Sequence, residues 1–248
     1  MPATNGQHLH LARTLILAGL VAFGFFVVVQ TGVLRTALES DRSYLSYVIL
    51  LAYGGASALW LRHSTRLSRE RDRLAALEIG LASGERPMLG ADGSVGFGSE
   101  TWAEGDLSSH LRAILGKRAR QPNEAGTGVL LDSLADTIAN RHAAGHFVSD
   151  ALLRLGLLGT VVGFIFMLGP VAEMESFDPN AARAMLQDMS GGMAIALYTT
   201  LSGLITSILL KLQYQFLDTA AQDFLNRLAV ATDVHLSAAP ESPPIQAP

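Results

Sequence analysis

The chain has 248 residues, of which 49% are hydrophobic and 16% are charged, and its formal net charge is −4. The mean hydropathy is +0.31, and the apolar residues form long blocks, which is typical of a membrane protein. The absence of cysteine excludes disulfides, thiol catalysis and cysteine metal sites. The basic residues concentrate in one segment and form no face of the kind that binds nucleic acid, so no nucleic-acid partner is expected.

Four segments are long and apolar enough to cross a bilayer, because a helix of about 20 residues rises ~30 Å. They cover about residues 15–34, 44–61, 152–171 and 189–210. No small-residue cleavage site follows the first segment, so a retained helix is predicted rather than a signal peptide. Tyr44, Tyr47 and Trp60 stand near the ends of the second segment, where we expect them to anchor it at the two membrane interfaces.

Most of the arginines lie between the second and third spans, whereas the two short connections hold only Arg35, Arg42 and Arg183. The positive-inside rule therefore predicts that the long middle segment and both termini are cytoplasmic.

Amphipathic helices are predicted to continue beyond the spans. Leu67, Leu74 and Leu81 recur every seven residues after the second span, with Leu77 between them. After the fourth span a four-three spacing runs through Leu210, Tyr214, Leu217, Ala221, Phe224, Leu228 and Ala231. Such a stripe is best satisfied by neighbouring helices.

Shorter elements complete the middle of the chain. Residues 83–106 are predicted to be a glycine-rich linker, and a helix should follow over about 107–120. Another helix should start near Val129, with Leu134 and Ile138 on one side, and run into the third span. The end of the chain, from about residue 237, is proline-rich and is expected to be disordered.

These features predict an all-α integral membrane protein with four transmembrane helices and long helices extending into the cytoplasm. The predicted division is an N-terminal membrane hairpin, a cytoplasmic helical segment with the linker, a second membrane hairpin, and a cytoplasmic helix with its tail, over residues 1–61, 62–150, 151–213 and 214–248.

Small and hydroxyl residues form a stripe on each of the last two spans. The stripes contain Gly192, Ala196, Thr200, Gly203 and Ser207 on the fourth span and Gly156, Gly159, Thr160 and Gly163 on the third. Thr160 and Thr200 should sit at nearly the same depth, ~15 Å from the cytoplasmic surface. Such residues also let membrane helices pack closely, and a threonine can bond to its own helix. The crowded hydroxyls and the matching depth favour instead a lining for a polar group on another helix.

Two sequences carry motifs that lie within these spans: "LGLLGTVVGFIFML" (155–168) and "GGMAIALYTTLSGL" (191–204). Both resemble the channel-lining helices of the MotA/TolQ/ExbB proton-channel family. By this resemblance, Thr160 and Thr200 fall on the family's two functional threonines, and Thr199 is their neighbour. The four spans look like MotA, whereas the motifs look like ExbB and TolQ. The MotA-type proline at the inner end of the third span is absent.

The resemblance implies a homopentameric ring in the bacterial inner membrane around a dimeric, single-span ExbD/TolR/MotB-like partner. In the family, proton flow through a membrane aspartate of that partner drives rotation, which makes the ring the stator of a motor. The chain has no Asp, Glu, Lys or His in 155–170 or 189–210. Thr160, Thr200 and Thr199 are therefore expected to line the ion path. The helix-packing or partner-facing residues are expected to be Gly156, Gly159, Gly163, Gly192, Ala196, Gly203 and Ser207.

Other functions are less well supported by the sequence. No nucleophile, base and orienting acid can be assembled, so no enzyme, metal or cofactor is expected beyond the coupling proton. His142, His146 and Asp150 share a helix face that could bind a metal or collect protons, although a solvated face is favoured. Arg154 is expected to reach lipid phosphates or to pair with Asp150.

The rival hypothesis is a non-conducting membrane scaffold that oligomerises through the small-residue stripes. The process powered, and proton versus sodium coupling, stay open.

Overall fold

The structure is a computed structural model that describes residues 44–90, 94–98, 100–102, 104–120, 128–172 and 179–236. The first predicted span, at about residues 15–34, and the predicted disordered tail lie outside these residues.

Long helices make up most of the described chain. They are α1 (Leu45–Ala82), α2 (Asp106–Arg120), α3 (Gly128–Ala172) and α4 (Pro179–Leu236). Within the described residues, three candidate membrane spans occur, in α1, α3 and α4. These are the second, third and fourth predicted spans.

The prediction of a glycine-rich linker over residues 83–106 is wrong for much of this segment, because the segment folds into a three-stranded antiparallel sheet. Its strands are β1 (Met88–Leu89), β2 (Val95–Phe97) and β3 (Glu100–Trp102), in the order β1-β2-β3. Val95 pairs with Trp102, and Phe97 pairs with Glu100. Gly98 has a φ of +58° between these strands, a conformation that glycine adopts without steric cost. Val95, Phe97 and Trp102 are buried, so this sheet presents an apolar face despite its glycines.

The described residues divide into two compact units. We call residues 44–63 and 142–217 the membrane unit, and residues 64–141 and 218–236 the helix–sheet unit. The chain crosses from one unit to the other inside α1, α3 and α4.

The helix–sheet unit has one apolar core to which every predicted leucine stripe contributes. Its buried members are Leu74, Leu77, Leu81, Val95, Phe97, Trp102, Leu107, Leu111, Leu134, Ile138, Ala221, Phe224, Leu228 and Ala231. Fully burying a leucine or phenylalanine side chain contributes about 1.5–3 kcal/mol. The four-three stripe of α4 is therefore buried against helices of its own chain.

Ion pairs surround this core and explain part of the arginine content. Asp106 accepts hydrogen bonds from Arg141 at 2.7 and 2.9 Å and from Arg66 at 3.2 Å. Glu70 is buried and accepts a hydrogen bond from the backbone N–H of Leu107 at 2.9 Å. That bond satisfies one of the free N–H groups in the first turn of α2.

In the membrane unit, polar bonds join α1 to α4. Trp60 Nε1 donates to the Gln213 carbonyl at 2.6 Å, and Ser57 Oγ donates to Gln213 Oε1 at 3.1 Å. The predicted interfacial role of Trp60 is wrong, because its side chain is buried and its N–H is satisfied by α4. Tyr44 and Tyr47 are exposed, as expected of anchors.

Candidate functional site

The last two spans pack as an antiparallel hairpin in a constant register. Gly145 of α3 lies against the ring of Tyr214, Gly156 against Gly203, and Gly163 against Ala196. We call this contact surface the α3–α4 seam. In this register Thr160 is level with position 199, so the two predicted threonines lie within about one residue, or 1.5 Å, of the same height. The predicted matching depth is confirmed.

Glycines allow the two backbones to touch along the seam. A Cβ atom at Gly203 would lie 2.7 Å from Gly156 Cα, and one at Gly163 would lie 2.7 Å from Gly192 O. Gly156, Gly159, Gly163, Gly192, Gly203 and Ser207 are buried, and Ala196 is half-buried. These residues are thus at a helix contact inside one chain, which suits helices that must associate in lipid. A partner-facing role for the same residues stays a prediction.

Thr200 is half-buried, and its hydroxyl bridges the two helices. Thr200 Oγ1 lies 3.1 Å from the Gly156 carbonyl of α3 and 2.8 Å from the Ala196 carbonyl of α4. A hydroxyl carries one hydrogen and two lone pairs, so it donates to one carbonyl at a time while it can still accept. Among the three predicted lining threonines, Thr200 is the one that contacts both helices by a hydrogen bond.

Thr199 has different surroundings from Thr200, because adjacent residues point about 100° apart on a helix. Its side chain is fully buried, and its hydroxyl donates to the Ile195 carbonyl at 2.8 Å. A Cβ atom at Gly159 would lie 2.1 Å from Thr199 Oγ1, so this threonine fills the space that Gly159 leaves. Thr199 therefore packs the seam.

Thr160 lies on the same stripe of α3 as Gly156 and Gly163, and that stripe faces the stripe of α4 that carries Thr200. The side chain is half-buried, and its hydroxyl donates to the Leu157 carbonyl at 2.5 Å. Thr160 and Thr200 thus share one side of the seam at one height.

Ser149 is a seam residue that the sequence reasoning missed. It is 1% exposed, and its hydroxyl donates to the Ser207 carbonyl at 3.0 Å and lies 3.4 Å from the Ser207 hydroxyl. Its position could have been predicted from the helical spacing, since Ser149 stands seven residues before Gly156 on the same helix face.

The face with His142, His146 and Asp150 is not uniformly solvated. His142 is buried and His146 is half-buried, whereas Asp150 is exposed, 3.8 Å from Lys211. The favoured solvated-face reading is therefore wrong for His142. No cluster of three His, Asp or Glu side chains that could hold a metal occurs in the part of the chain that the structure describes.

The chemistry of the seam follows from what it contains. Its hydroxyls can donate to an ionised acid and accept from a protonated one, but they are not acids or bases near neutral pH. The apolar parts of both spans, residues 155–170 and 189–210, contain no carboxylate, ammonium group or imidazole.

Residues 134–229 match the model of the MotA/TolQ/ExbB proton channel family, which confirms the resemblance seen in the two motifs. The match begins and ends in the leucine stripes of α3 and α4 and contains the whole seam from Gly145 to Tyr214. No curated protein and no solved structure matches the chain. The matched region contains two of the three candidate membrane spans among the described residues, which supports a multi-pass membrane protein.

Proposed function

We propose that this chain is the ring subunit of a proton-driven motor complex in the bacterial inner membrane. Five copies would surround a dimeric, single-span ExbD/TolR/MotB-like partner that carries a membrane aspartate. The complex would act as a stator in which proton transfer through that carboxylate drives rotation or other mechanical work. The long middle segment and both termini of the chain would lie in the cytoplasm.

The observation that carries this proposal is that Thr160 and Thr200 lie at one height on the same side of the seam, in a segment matched by a proton-channel family. A charged carboxylate in hydrocarbon is costly, and it is tolerated where polar groups surround it. Half-buried hydroxyls at a single level would supply such groups to an acidic helix docked beside them.

Thr200 suits both states of that acid. An ionised carboxylate would accept a hydrogen bond from the Thr200 hydroxyl. To donate that bond, the hydroxyl must first break its own bond to the Gly156 or Ala196 carbonyl. A protonated carboxyl would donate to its lone pair and leave the existing bond in place. One side chain can therefore stabilise the acid before and after it picks up a proton.

The rival scaffold function receives less support. That hypothesis needs the small-residue stripes for contacts between copies, yet Gly156, Gly163, Gly192 and Gly203 are already buried against one another within a single chain.

The test uses the full chain, tagged and purified from host membranes with whatever copurifies, then reconstituted into liposomes that contain the pH dye pyranine. Thr200→Val should lower proton flux about tenfold or more, because a preorganised donor is lost. Thr200→Ser should keep most of the flux. Thr206→Val is the matched control, because its buried hydroxyl donates to the Ser202 carbonyl at 2.7 Å within α4.

Copurification of a single-span protein with a membrane aspartate is the second expected result. The proposal is overturned if wild-type liposomes do not conduct, or if Thr200→Val conducts as well as Thr206→Val in complexes of equal size.

A further inference from the structure

Four aromatic rings from three helices gather at the end of the membrane unit where the chain crosses into the helix–sheet unit. We call His63, His142, His146 and Tyr214 the histidine cluster. The ring centroids are 5.9 Å apart for His63 and His142, 6.4 Å for His142 and Tyr214, and 5.7 Å for His146 and Tyr214.

The cluster is packed rather than solvated. His142 is 6% exposed and Tyr214 is 1% exposed. Gly145 lies beneath the Tyr214 ring, since a Cβ atom there would be 2.0 Å from Tyr214 Cζ. The backbone of α3 is therefore shaped to hold this ring between the two histidines of the same helix.

We propose that the histidine cluster is a proton-transfer station, which exchanges protons between the channel and the aqueous phase at this end of the membrane unit. The inference rests on the proposed function, because it needs a proton current to serve.

Packing alone does not account for imidazoles at these positions. Phenylalanine would fill the same space without a polar ring to desolvate. Imidazole instead titrates near neutral pH and carries two nitrogens. A proton can bind one nitrogen while the other releases its own proton, so one N–H bond forms as another breaks and the ring ends neutral.

The rings of His63 on α1 and His142 on α3 are neighbours from different helices, with their centroids 5.9 Å apart and their planes tilted by 32°. The other charged residues within four positions of the cluster along its three helices are Arg62, Arg66, Arg141, Asp150, Lys211 and Asp218.

Polar side chains continue from the cluster towards the threonines. Ser149 lies three residues beyond His146 on α3, and its hydroxyl contacts that of Ser207 in the seam. Both serines are buried. The seam therefore has hydroxyls between the histidines and the level of Thr200.

The test measures flux in the same reconstituted complexes, with external pH varied from 6 to 8. His142→Gln and His146→Gln should each lower the flux about a hundredfold, the lower end of the range expected for loss of a proton-transfer group. The dependence of flux on pH should flatten. Free imidazole in the buffer should restore part of the flux, as it would not for a packing defect.

Two further variants keep the result decisive. His142→Phe preserves a packed ring without titration and should lose flux like His142→Gln. Phe147→Ala, at a 70% exposed neighbouring site, should conduct normally. Normal flux in His142→Phe, or losses in the Gln variants that imidazole never restores, would overturn the station.

The same assay separates the two proposals. If Thr200→Val loses flux while the histidine variants conduct with an unchanged pH profile, the station is wrong and the motor proposal stands. If the wild-type complex does not conduct, the motor proposal fails and the station fails with it.

Discussion

Helices α3 and α4 are held together in two different ways along their length. In the membrane unit their contact is made by glycines and hydroxyls, with backbone against backbone at Gly156 and Gly203. In the helix–sheet unit, Leu134 and Ile138 of α3 and Phe224 and Leu228 of α4 share one core of large apolar side chains. The difference reflects the solvent: large side chains gain by leaving water, whereas in lipid they gain little and close approach matters more.

The largest expected effect is at the glycine contact. Gly203→Leu should abolish assembly of the hairpin, because its Cβ atom would overlap Gly156 Cα at 2.7 Å and Leu152 O at 2.8 Å. Gel filtration in mild detergent should show loss of the native species. Gly55→Leu is the control, since nothing lies within 4 Å of a Cβ atom there. Equal behaviour of the two variants would disprove close packing at the seam.

The leucine-rich core should respond next. Phe224→Ala should destabilise the helix–sheet unit by about 3–5 kcal/mol, because it leaves a cavity where a fully buried ring was. Urea unfolding followed by limited proteolysis measures this change. Phe216→Ala, at a 48% exposed site of the same helix, should cost much less. Similar midpoints for both variants would show that Phe224 is not part of a tightly packed core.

A smaller effect is expected from the ion pairs around that core. Asp106→Asn weakens the bonds to Arg66 and Arg141 and should destabilise the unit by about 1–3 kcal/mol. Hydrogen bonding to Asp106 raises the pKa of Arg141, in keeping with a favourable pair. Asp136→Asn, at an exposed site, serves as control. An unchanged urea midpoint in Asp106→Asn would show that the pairs contribute nothing.

The smallest effect is a dependence on pH. Burial lowers the pKa of His110 below its ordinary value, and the side chain is 4% exposed in α2. The unfolded chain then binds this proton more readily than the folded chain, so stability falls as pH drops below about 6.5. His110→Gln should reduce the difference between urea midpoints at pH 7.5 and 5.5. The same difference in the variant would rule out His110 as its source.

Periodicity predicted the elements that depend on one repeating face. The spacing from Leu210 to Ala231 marked a stripe whose members are all buried, and helical rise alone put Thr160 and Thr200 at one height. These features follow from a single helix, so one sequence suffices to find them.

Features that depend on contacts between distant segments were missed. The sheet was hidden because Val95 and Phe97 alternate among glycines over too few residues to show a period of two. Trp60 was read as an interfacial residue because its carbonyl acceptor at Gln213 is far away in sequence. His142 was read as solvated because the rings of His63 and Tyr214 that cover it come from other helices.

Each unit contains one of the chain's two tryptophans, Trp60 in the membrane unit and Trp102 in the helix–sheet unit. Both indoles are buried, so both should emit at short wavelength and shift to the red on contact with water. Trp60→Phe and Trp102→Phe would each leave a single fluorophore. Intrinsic fluorescence could then follow the melting of either unit without any added label.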